Sequence, residues 1–217
     1  MGFLVNSFIE FPADTNPPDF EDDFSSDSGW TYVGTVSYNA SGYQNLIFTR
    51  NNANNGCYHN LTTVSNTGWR LRAKWHLTSK STSGQSSFLG LTSVTGGSND
   101  SQDAIGVSFT TVNNTLFTHD SDGQTIAGGA NSSNAFTTTN GTDYFIQIRR
   151  LSATTMRVEI FPDDTYDTAD ITINDTIPST IQDTIYLKEE NREELGNNTI
   201  DSWTGDDVQF WNNLDEV

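Results

Sequence analysis

Cysteine is nearly missing from this sequence of 217 residues, since Cys57 is the single one. One cysteine excludes an intrachain disulfide, so the fold is not one of the small scaffolds that disulfides hold together. A chain of this length buries roughly 70% of its unfolded surface when it folds as one domain, and it needs no such support. The cellular compartment stays open, because proteins of many compartments fold without disulfides.

Positive charge is also scarce. The sequence has 10 Lys and Arg against 28 Asp and Glu, which gives a net charge of −18 and an isoelectric point near 4.1. Binding to nucleic acid or to an anionic membrane requires clustered basic residues over a broad surface, so we expect neither. No run approaches the ~20 apolar residues of a membrane-spanning helix. The N-terminal residues have neither the basic start nor the apolar core of a secretory signal.

Strand patterns are what the sequence does contain, and the clearest runs from Thr67 to Lys80. Successive side chains of a strand point to opposite faces, so alternation with a period of two predicts one buried and one exposed face. Two Trp on one face bury roughly 150–250 Å² each, and we expect the core to be built against them. The apolar face consists of Trp69, Leu71, Ala73, Trp75 and Leu77, and the other face of Arg70, Arg72, Lys74 and His76.

The basic face of this strand has two interpretations. Three of the chain's ten Lys and Arg lie on it, namely Arg70, Arg72 and Lys74. They either neutralise acidic groups on neighbouring strands or line a groove. The sequence alone leaves both interpretations open.

Segments with strand character follow one another along nearly the whole chain, separated by polar turns. Such spacing predicts an all-β protein, a two-sheet antiparallel jelly-roll sandwich. One stretch, from Lys188 to Leu195, leans towards a helix instead. Its run of glutamates is typical of a solvated surface and includes Glu189, Glu190, Glu193 and Glu194.

The first 19 residues are expected to form an arm or edge strand, and residues 20–217 one jelly-roll domain. Pro12, Pro17 and Pro18 break regular structure between the two. The arm is too apolar for a free tail, because disordered segments are poor in aromatic and β-branched residues. It either folds back onto its own domain or pairs with a neighbouring subunit, which would make the protein a homo-oligomer or a partner within a virion.

Four pieces of the sequence, taken in order, resemble the concanavalin A-like lectin/glucanase (laminin G-like) jelly-roll superfamily. They are an acidic opening followed by Trp, DDFSSDSGWTYVGT, the strand WRLRAK, the pair YFIQIRR and MRVEIF, and the closing TIYLKEENREELGNNTIDSWTGDDVQFWN. The resemblance covers residues 20–213. It implies two facing sheets, one of which often bears a glycan groove. Members include lectins, glycosidases, lyases and adhesive modules, so the fold alone does not fix the function.

Residue patterns for catalysis are weak. Retaining glycosidases of this superfamily carry two carboxylates on a Glu-x-Asp-x-x-Glu strand, and this sequence has no such strand. The lyases use Tyr, His, Gln and Arg, and Tyr144, His76, Gln147 and Arg149 supply the residue types without the motifs of the family. The histidines are scattered and do not predict a metal triad. We therefore expect a protein without enzymatic activity, with a glycoside hydrolase or polysaccharide lyase as the alternative.

A structural Ca²⁺ follows from the resemblance as a second expectation. The first and last strands of these jelly rolls are neighbours, which places Asp22 and Asp23 beside Asp206 and Asp207. Four carboxylates at one place repel each other unless they are protonated, paired or bound to a metal. The alternative is that some point into solvent and that Arg or Lys neutralises the rest.

Glycan recognition requires exposed aromatic rings, which stack on sugar faces, and planar polar groups, which bind hydroxyls. The candidates are aromatic residues near turns and the asparagines of a polar loop, namely Tyr43, Tyr58, Trp203, Asn54 and Asn55. The other four tryptophans, Trp30, Trp69, Trp75 and Trp211, are expected in the core. The resulting hypothesis is a non-enzymatic carbohydrate-binding or adhesion module, extracellular or displayed on a virion or cell surface. The alternative is a structural subunit that assembles through its arm.

Overall fold

The computed structural model describes residues 16–24, 29–33, 37–38, 46–49, 55–79, 86–95, 102–110, 115–123, 136–192 and 202–213. Within these residues the chain consists of β-strands and their connections, and no helix is present, so none that could cross a membrane. The strands form two antiparallel sheets. The predicted all-β sandwich is therefore confirmed.

The first sheet is built around the strand that the sequence singled out. In spatial order its strands are β13 (Ile171–Thr176), β12 (Thr155–Phe161), β11 (Thr142–Arg150), β6 (Trp69–Ser79), β15 (Ser202–Asn212), β4 (Leu46–Thr49) and β3 (Ser37–Tyr38). A further strand, β1 (Phe20–Asp22), pairs with β15. Strand β15 thus pairs through its first half with β4 and through its second half with β1.

The second sheet faces the first across the core. In spatial order its strands are β10 (Phe136–Thr137), β9 (Thr115–Asp122), β8 (Asp103–Thr110), β7 (Ser86–Thr92), β14 (Tyr186–Arg192), β5 (Asn55–Asn60) and β2 (Thr31–Val33). Strands β7 and β8 approach each other closely because a glycine of each stands directly opposite the other, Gly90 against Gly106. A Cβ at Gly90 would lie only 2.3 Å from the carbonyl oxygen of Ile105, so a larger residue has no room there.

The alternation of β6 is confirmed on its apolar face. All five inward residues, from Trp69 to Leu77, are buried and belong to the core cluster. Aliphatic residues of both sheets, such as Ile148 of β11 and Leu91 of β7, complete the same core. Of the four tryptophans that the sequence assigns to the core, Trp30, Trp69 and Trp75 belong to it. Trp211 is buried instead on the outer face of the first sheet, where Arg70 lies over its ring, because it alternates with the inward Phe210.

The helical expectation for Lys188–Leu195 is wrong for the residues that the structure describes, because Tyr186–Arg192 form the central strand β14. Glu189 is not solvated either. It is buried between the sheets, where it accepts a hydrogen bond from the indole Nε1 of Trp75. Local helix propensity is overridden here because β14 completes its backbone hydrogen bonds with β5 and β7 on both sides.

Only the end of the proposed arm lies within the described residues. The backbone nitrogen of Asp19 donates to the carbonyl of Phe210 at 2.8 Å, and the carbonyl of Asn16 accepts from Nε1 of Trp211 at 2.9 Å. The chain from Asn16 to Asp19 therefore runs beside β15 and leads directly into β1. Residues 1–15, on which the two expectations for the arm depend, lie outside the described part of the structure.

Asp120 is the core residue that matches its surroundings least. It is fully buried on β9, and neither of its carboxylate oxygens has a hydrogen-bond partner among the described residues. Close by, the Thr118 hydroxyl donates to Asp175 of β13, and Asp122 follows on the same strand. Burial, and then the charges of Asp175 and Asp122, raise the pKa of Asp120 to about 7.

This raised pKa predicts that Asp120 lowers the stability of the protein at neutral and alkaline pH. The folded state holds the proton more tightly than the unfolded state, whose Asp has a pKa near 3.9. The destabilisation is thus absent below about pH 4, grows as the pH rises towards 7, and is complete above it. Asp120→Asn, which stays uncharged, is expected to gain stability relative to the wild type as the pH rises from about 4 to about 7, by up to about 1.4 kcal/mol per pH unit, and to keep that gain at higher pH.

Urea unfolding of both proteins at several pH values measures this difference. The exposed Asp167 provides the matched control, since Asp167→Asn removes a carboxylate that is not buried. A stability difference between wild type and Asp120→Asn that does not change with pH would contradict the prediction.

Candidate functional site

The first and last strands of the domain meet where the resemblance implies. Strand β1 pairs with β15 in antiparallel register, so that Phe20 stands opposite Phe210 and Asp22 opposite Val208. The two Asp pairs of the sequence, Asp22-Asp23 and Asp206-Asp207, are thereby brought to one region. For Asp206 the structure describes the backbone alone.

An irregularity in β15 shapes this region. Asp206 pairs with Lys74 of β6 and Gln209 with Arg72, so Asp207 and Val208 together stand opposite the single residue Ala73. Two residues against one is the pattern of a β-bulge, which turns a side chain out of the regular alternation. Asp207 has a φ of 49°, a left-handed conformation that Asp adopts more readily than most residues. The bulge exposes the Asp207 side chain beside β1.

A cavity of about 840 Å³ opens at the bulge. Its walls combine rings with carboxylates, and we call it the acidic–aromatic cavity. The rings belong to Phe20, His59, Phe145 and Tyr166, and the carboxylates to Glu21, Asp22, Asp23, Asp164 and Asp207. Gly29, Val208 and Gln209 complete the lining. Such a surface offers flat apolar faces and hydrogen-bond acceptors side by side.

The rings on the β1 side are fixed by stacking. Phe20 lies on the imidazole of His59 with the ring centroids 4.1 Å apart and an angle of 25° between the planes. Trp30 packs edge-on against Phe20 at 6.1 Å. The Nδ1 atom of His59 lies 2.9 Å from the carbonyl oxygen of Gly29, and since a carbonyl only accepts, Nδ1 carries the hydrogen. These contacts hold the His59 ring in one orientation.

The opposite wall is formed by Tyr166, which lies in the connection after β12. Its ring packs edge-on against Phe145 at 6.3 Å and against Phe161 at 5.1 Å. The guanidinium group of Arg72 lies over the ring, 4.3 Å from its centroid. Burial raises the pKa of the Tyr166 hydroxyl, against the opposing effect of Arg72, so the hydroxyl stays protonated. Tyr166 therefore presents a hydrogen-bond donor in a cavity otherwise rich in acceptors.

Both carboxylate oxygens of Asp22 accept hydrogen bonds that stabilise the fold. Its Oδ1 accepts from the backbone nitrogen of Phe24 at 2.7 Å, and its Oδ2 accepts from Nε1 of Trp30 at 2.7 Å. Among the described residues no three His, Cys, Asp or Glu side chains are arranged as a metal site. The cavity contains three of the four predicted ligands, Asp22, Asp23 and Asp207, and the side chain of the fourth, Asp206, lies outside the described part of the structure. Calcium binding stays a prediction.

The basic face of β6 supports both of its interpretations. Lys74 and His76 approach the carboxylate of Asp143 on the neighbouring β11, with Nζ at 3.5 Å and Nδ1 at 2.5 Å, and the charge of Lys74 neutralises this acid. Arg72 donates from Nε to Oε1 of Gln147 at 2.7 Å and also borders the acidic–aromatic cavity through Tyr166. The middle of the strand is thus paired internally, whereas Arg72, nearer its beginning, reaches a concave site.

The predicted glycan-binding residues are not brought together as a group within the described structure. Tyr58 lies on β5 in the second sheet, half-buried, with its ring edge-on to Tyr186 at 6.0 Å. Asn55 begins the same strand, and Trp203 lies on β15 in the first sheet. For these two only the backbone is described, and Tyr43 and Asn54 lie outside the described residues. Their role in binding stays a prediction.

The residue types of the lyases are separated by the sheet. Gln147 and Arg149 of β11 point outwards, as does His76, whereas Tyr144 points into the core. Its hydroxyl accepts from the backbone nitrogen of Thr139 at 2.5 Å. The thiol of Cys57 is also unsuited to attack, because burial and then the charge of Glu189 raise its pKa. The four residues of the lyase types therefore lie on opposite faces of the sheet and do not form one catalytic group.

Sequence patterns missed the rings of the cavity. Phe20 and Phe145 occupy ordinary strand positions, and nothing local distinguishes them from core residues. Tyr166 did carry a signal, because it is the sole aromatic residue in the acidic segment DDTYDTAD. An aromatic residue in a polar, turn-forming segment has no neighbouring apolar residues to pack with. This position in the sequence could have identified Tyr166 as a candidate site residue.

No family model matches the sequence, and no curated protein matches it either. Solved structures do match. The carbohydrate recognition domain of Emp47p superposes with a TM-score of 0.63 at 12% identity, covering 90% of this chain and 96% of that one. The exoplasmic/lumenal domain of VIP36, in a form bound to Ca²⁺ and Man3GlcNAc, gives a TM-score of 0.61 at 12% identity over 92% and 90%.

Other matched structures are a phage module and an enzyme. The CBM2 module of the evolved Dit protein of Lactobacillus casei BL23 phage J-1 gives a TM-score of 0.61 at 10% identity, over 93% of this chain and 98% of that one. The transglycosylase Crh5 gives 0.58 at 12% identity, over 92% and 89%. Identities this low show the fold alone. The chain therefore has the concanavalin A-like lectin fold that its sequence resembles.

Proposed function

We propose that this protein is a non-enzymatic carbohydrate-binding module and that the acidic–aromatic cavity is its ligand site. The observation that carries the proposal is the composition of the cavity wall, in which the rings of Phe20, Phe145 and Tyr166 stand beside carboxylates. Sugar rings have apolar faces that pack on aromatic rings, and their hydroxyls donate to carboxylates. A volume of about 840 Å³ lies within the range of small-molecule sites.

The geometry of Tyr166 and His59 supports the same function. Binding costs less when the side chains are already held in place, because little rotational freedom is then lost. Arg72 holds the Tyr166 ring from one side, and Phe20 holds His59 by stacking. Display on a virion or cell surface is part of the proposal. It draws support from the phage Dit module among the matched folds.

Removing the Tyr166 ring is expected to weaken glycan binding. On a glycan array in Ca²⁺-containing buffer, the wild type binds at least one glycan, and Tyr166→Ala binds it about fivefold less tightly, since one aromatic contact contributes on the order of 1 kcal/mol. Tyr166→Phe keeps the ring and loses only the hydroxyl, so its loss is smaller.

Tyr58→Ala separates the cavity from the site expected on the second sheet. We expect it to leave binding to the cavity unchanged. Loss of binding in Tyr58→Ala with full binding in Tyr166→Ala would move the site to the other sheet. An array that is blank for the wild type would refute the carbohydrate-binding function itself.

Calcium belongs to this proposal as the cation that the carboxylates around the bulge would bind. If Ca²⁺ binds the native state alone, it stabilises that state by about 2.7 kcal/mol at 100 times its Kd. A chelator is then expected to lower the thermal midpoint of the wild type and to leave that of Asp207→Asn nearly unchanged. Asn tolerates the left-handed backbone as Asp does, so this variant removes the charge without added strain. A thermal midpoint of the wild type that changes neither with added calcium nor with chelator contradicts calcium binding.

A second candidate function, assembly through the arm, is favoured by the course of residues 16–19. They run beside β15 at an edge of the first sheet. An arm that follows a sheet edge can complete that edge in its own subunit or in a neighbour.

Deleting residues 1–15 distinguishes the two arrangements. Exchange between subunits predicts that the wild type is an oligomer and that the deletion variant is a folded monomer in light scattering. A local strand predicts one mass for both proteins and a lower thermal midpoint for the variant. That second result would remove assembly through the arm as a function.

A further inference from the structure

We propose that the outer face of the first sheet, across β6, β11 and β12, binds the anionic groups of an acidic polysaccharide, carboxylates or sulfates, as an extension of the acidic–aromatic cavity. The proposal rests on the proposed carbohydrate-binding function and names the class of its ligand. It starts from an uneven distribution of charge. Five of the chain's ten Lys and Arg lie on this one face, namely Arg70, Arg72, Lys74, Arg149 and Arg157.

The register of the strands places three arginines in one row. Arg157 of β12 stands directly opposite Arg149 of β11, and Arg149 stands directly opposite Arg70 of β6. Like charges in directly opposite positions destabilise a sheet. Neighbouring strands lie about 4.8 Å apart, a distance close to the length of one sugar unit in an extended chain. We call this set of three the arginine row.

Charges along the row act on one another. The pKa of Arg70 is lowered to about 9, by burial first and then by the charges of Arg72 and Arg149. The pKa of Arg149 is lowered as well, again mainly by burial. An anion bound to the row would relieve this repulsion, and the row is therefore better matched to a bound anion than to water alone.

Aromatic rings and amides hold the guanidinium groups in place. Arg70 lies over the ring of Trp211 at 4.0 Å, and Arg157 donates from Nε to Oδ1 of Asn174 at 2.9 Å. One carboxylate, that of Glu159, is shared by two arginines, with Nη1 of Arg149 at 3.8 Å and Nη1 of Arg157 at 4.0 Å. Glu159 also accepts a hydrogen bond from Nε2 of Gln147 at 2.7 Å. Glu159 therefore acts as an internal anion between the two arginines, and a bound anionic group would compete with it.

The arginine row and the cavity are connected by hydrogen bonds through Gln147, which is itself buried, as is Arg70. Gln147 joins them, since it accepts from Nε of Arg72 and donates from Nε2 to Oε2 of Glu159, each at 2.7 Å. Arg72 in turn covers Tyr166 of the cavity wall. A glycan seated on the rings of the cavity would thus continue across Gln147 towards Arg149 and Arg157. Their side chains are 24% and 33% exposed and so remain within reach.

Two matched pairs of probes test the proposal. Polygalacturonate is compared with its methyl-esterified form, and dextran sulfate with dextran, by biolayer interferometry on the full chain. We expect the charged member of at least one pair to bind at least about tenfold more tightly than its neutral partner and to weaken as salt rises. The pair that responds identifies carboxylate or sulfate as the recognised group.

Variants test whether the row is responsible. Arg157→Gln and the double variant Arg149→Gln/Arg157→Gln are expected to lose about tenfold for each arginine. Glu159→Gln is expected to bind more tightly, because it removes the carboxylate that both arginines share. That gain of affinity has no explanation in a merely structural role. Arg192→Gln, at the end of β14 in the second sheet, removes the same charge elsewhere and serves as control. Thermal midpoints establish that each variant is folded.

Several outcomes overturn the inference. Equal binding to the charged and neutral members of both pairs does so, and so does charged-glycan binding that survives the double variant. Salt-sensitive self-association that disappears in the double variant would assign the row to an acidic protein surface instead. If neutral glycans still bind on the array, the carbohydrate-binding function stands without the inference. If no glycan binds at all, both fail.

Discussion

The alternation of β6 is the constraint on which the rest of the structure depends. With a period of two, a shift of one residue would move Trp69 and Trp75 out of the core and put arginines into it. The hydrophobic cost of that exchange fixes the register of β6 against both neighbours, β11 and β15. The positions of the outward side chains follow from that register. The core therefore determines where the basic groups of the outer face stand, although none of them contributes to the core.

The β-bulge of β15 is a consequence of the same constraint. Strand β15 must bury Val208 and Phe210 on the inner face while its first half pairs with β4 and its second half with β1. An extra residue at Asp207 accommodates the change of partner, because a bulge bends the strand and strengthens its twist. The cavity opens at this point. The site is thus located by a requirement of the fold, the change of neighbour along one strand.

Much of the fold could be predicted because its signals are local. Alternation identified β6, and the spacing of strands and turns identified the two-sheet sandwich. The pairing of β1 with β15 was predicted from the resemblance, because the strand order of the superfamily is known. No local pattern in the sequence indicates that pairing. The helical prediction for the stretch around Glu189 was wrong because the structure there is decided by non-local contacts. Its composition favours a helix, and only the hydrogen bonds of β5 and β7 on either side decide for a strand.

The site itself was less predictable, because its parts are distant in sequence. Phe20, His59, Phe145 and Tyr166 come from four separate segments and meet only through the packing of the sheets. The four aspartates were recognisable as two adjacent pairs, yet their chemistry depends on contacts of the folded state. Asp22 is an example, since Trp30 and Phe24 occupy both of its oxygens. A sequence shows that a carboxylate is present, and the fold decides whether it is available.

The net charge of −18 does not conflict with an anionic ligand on the outer face. The Debye length is about 8 Å at physiological ionic strength, so acidic groups farther away than that are largely screened. The charged groups that act on one another at the row include Arg70, Arg149 and Arg157, together with Arg72 beside Arg70 and with Glu159, which Arg149 and Arg157 share. The global charge governs solubility and slows the approach of polyanions, whereas affinity is set by the local row. An acidic protein with half of its Lys and Arg on one face thus combines general repulsion of polyanions with attraction at that face, and this combination favours selectivity over indiscriminate binding.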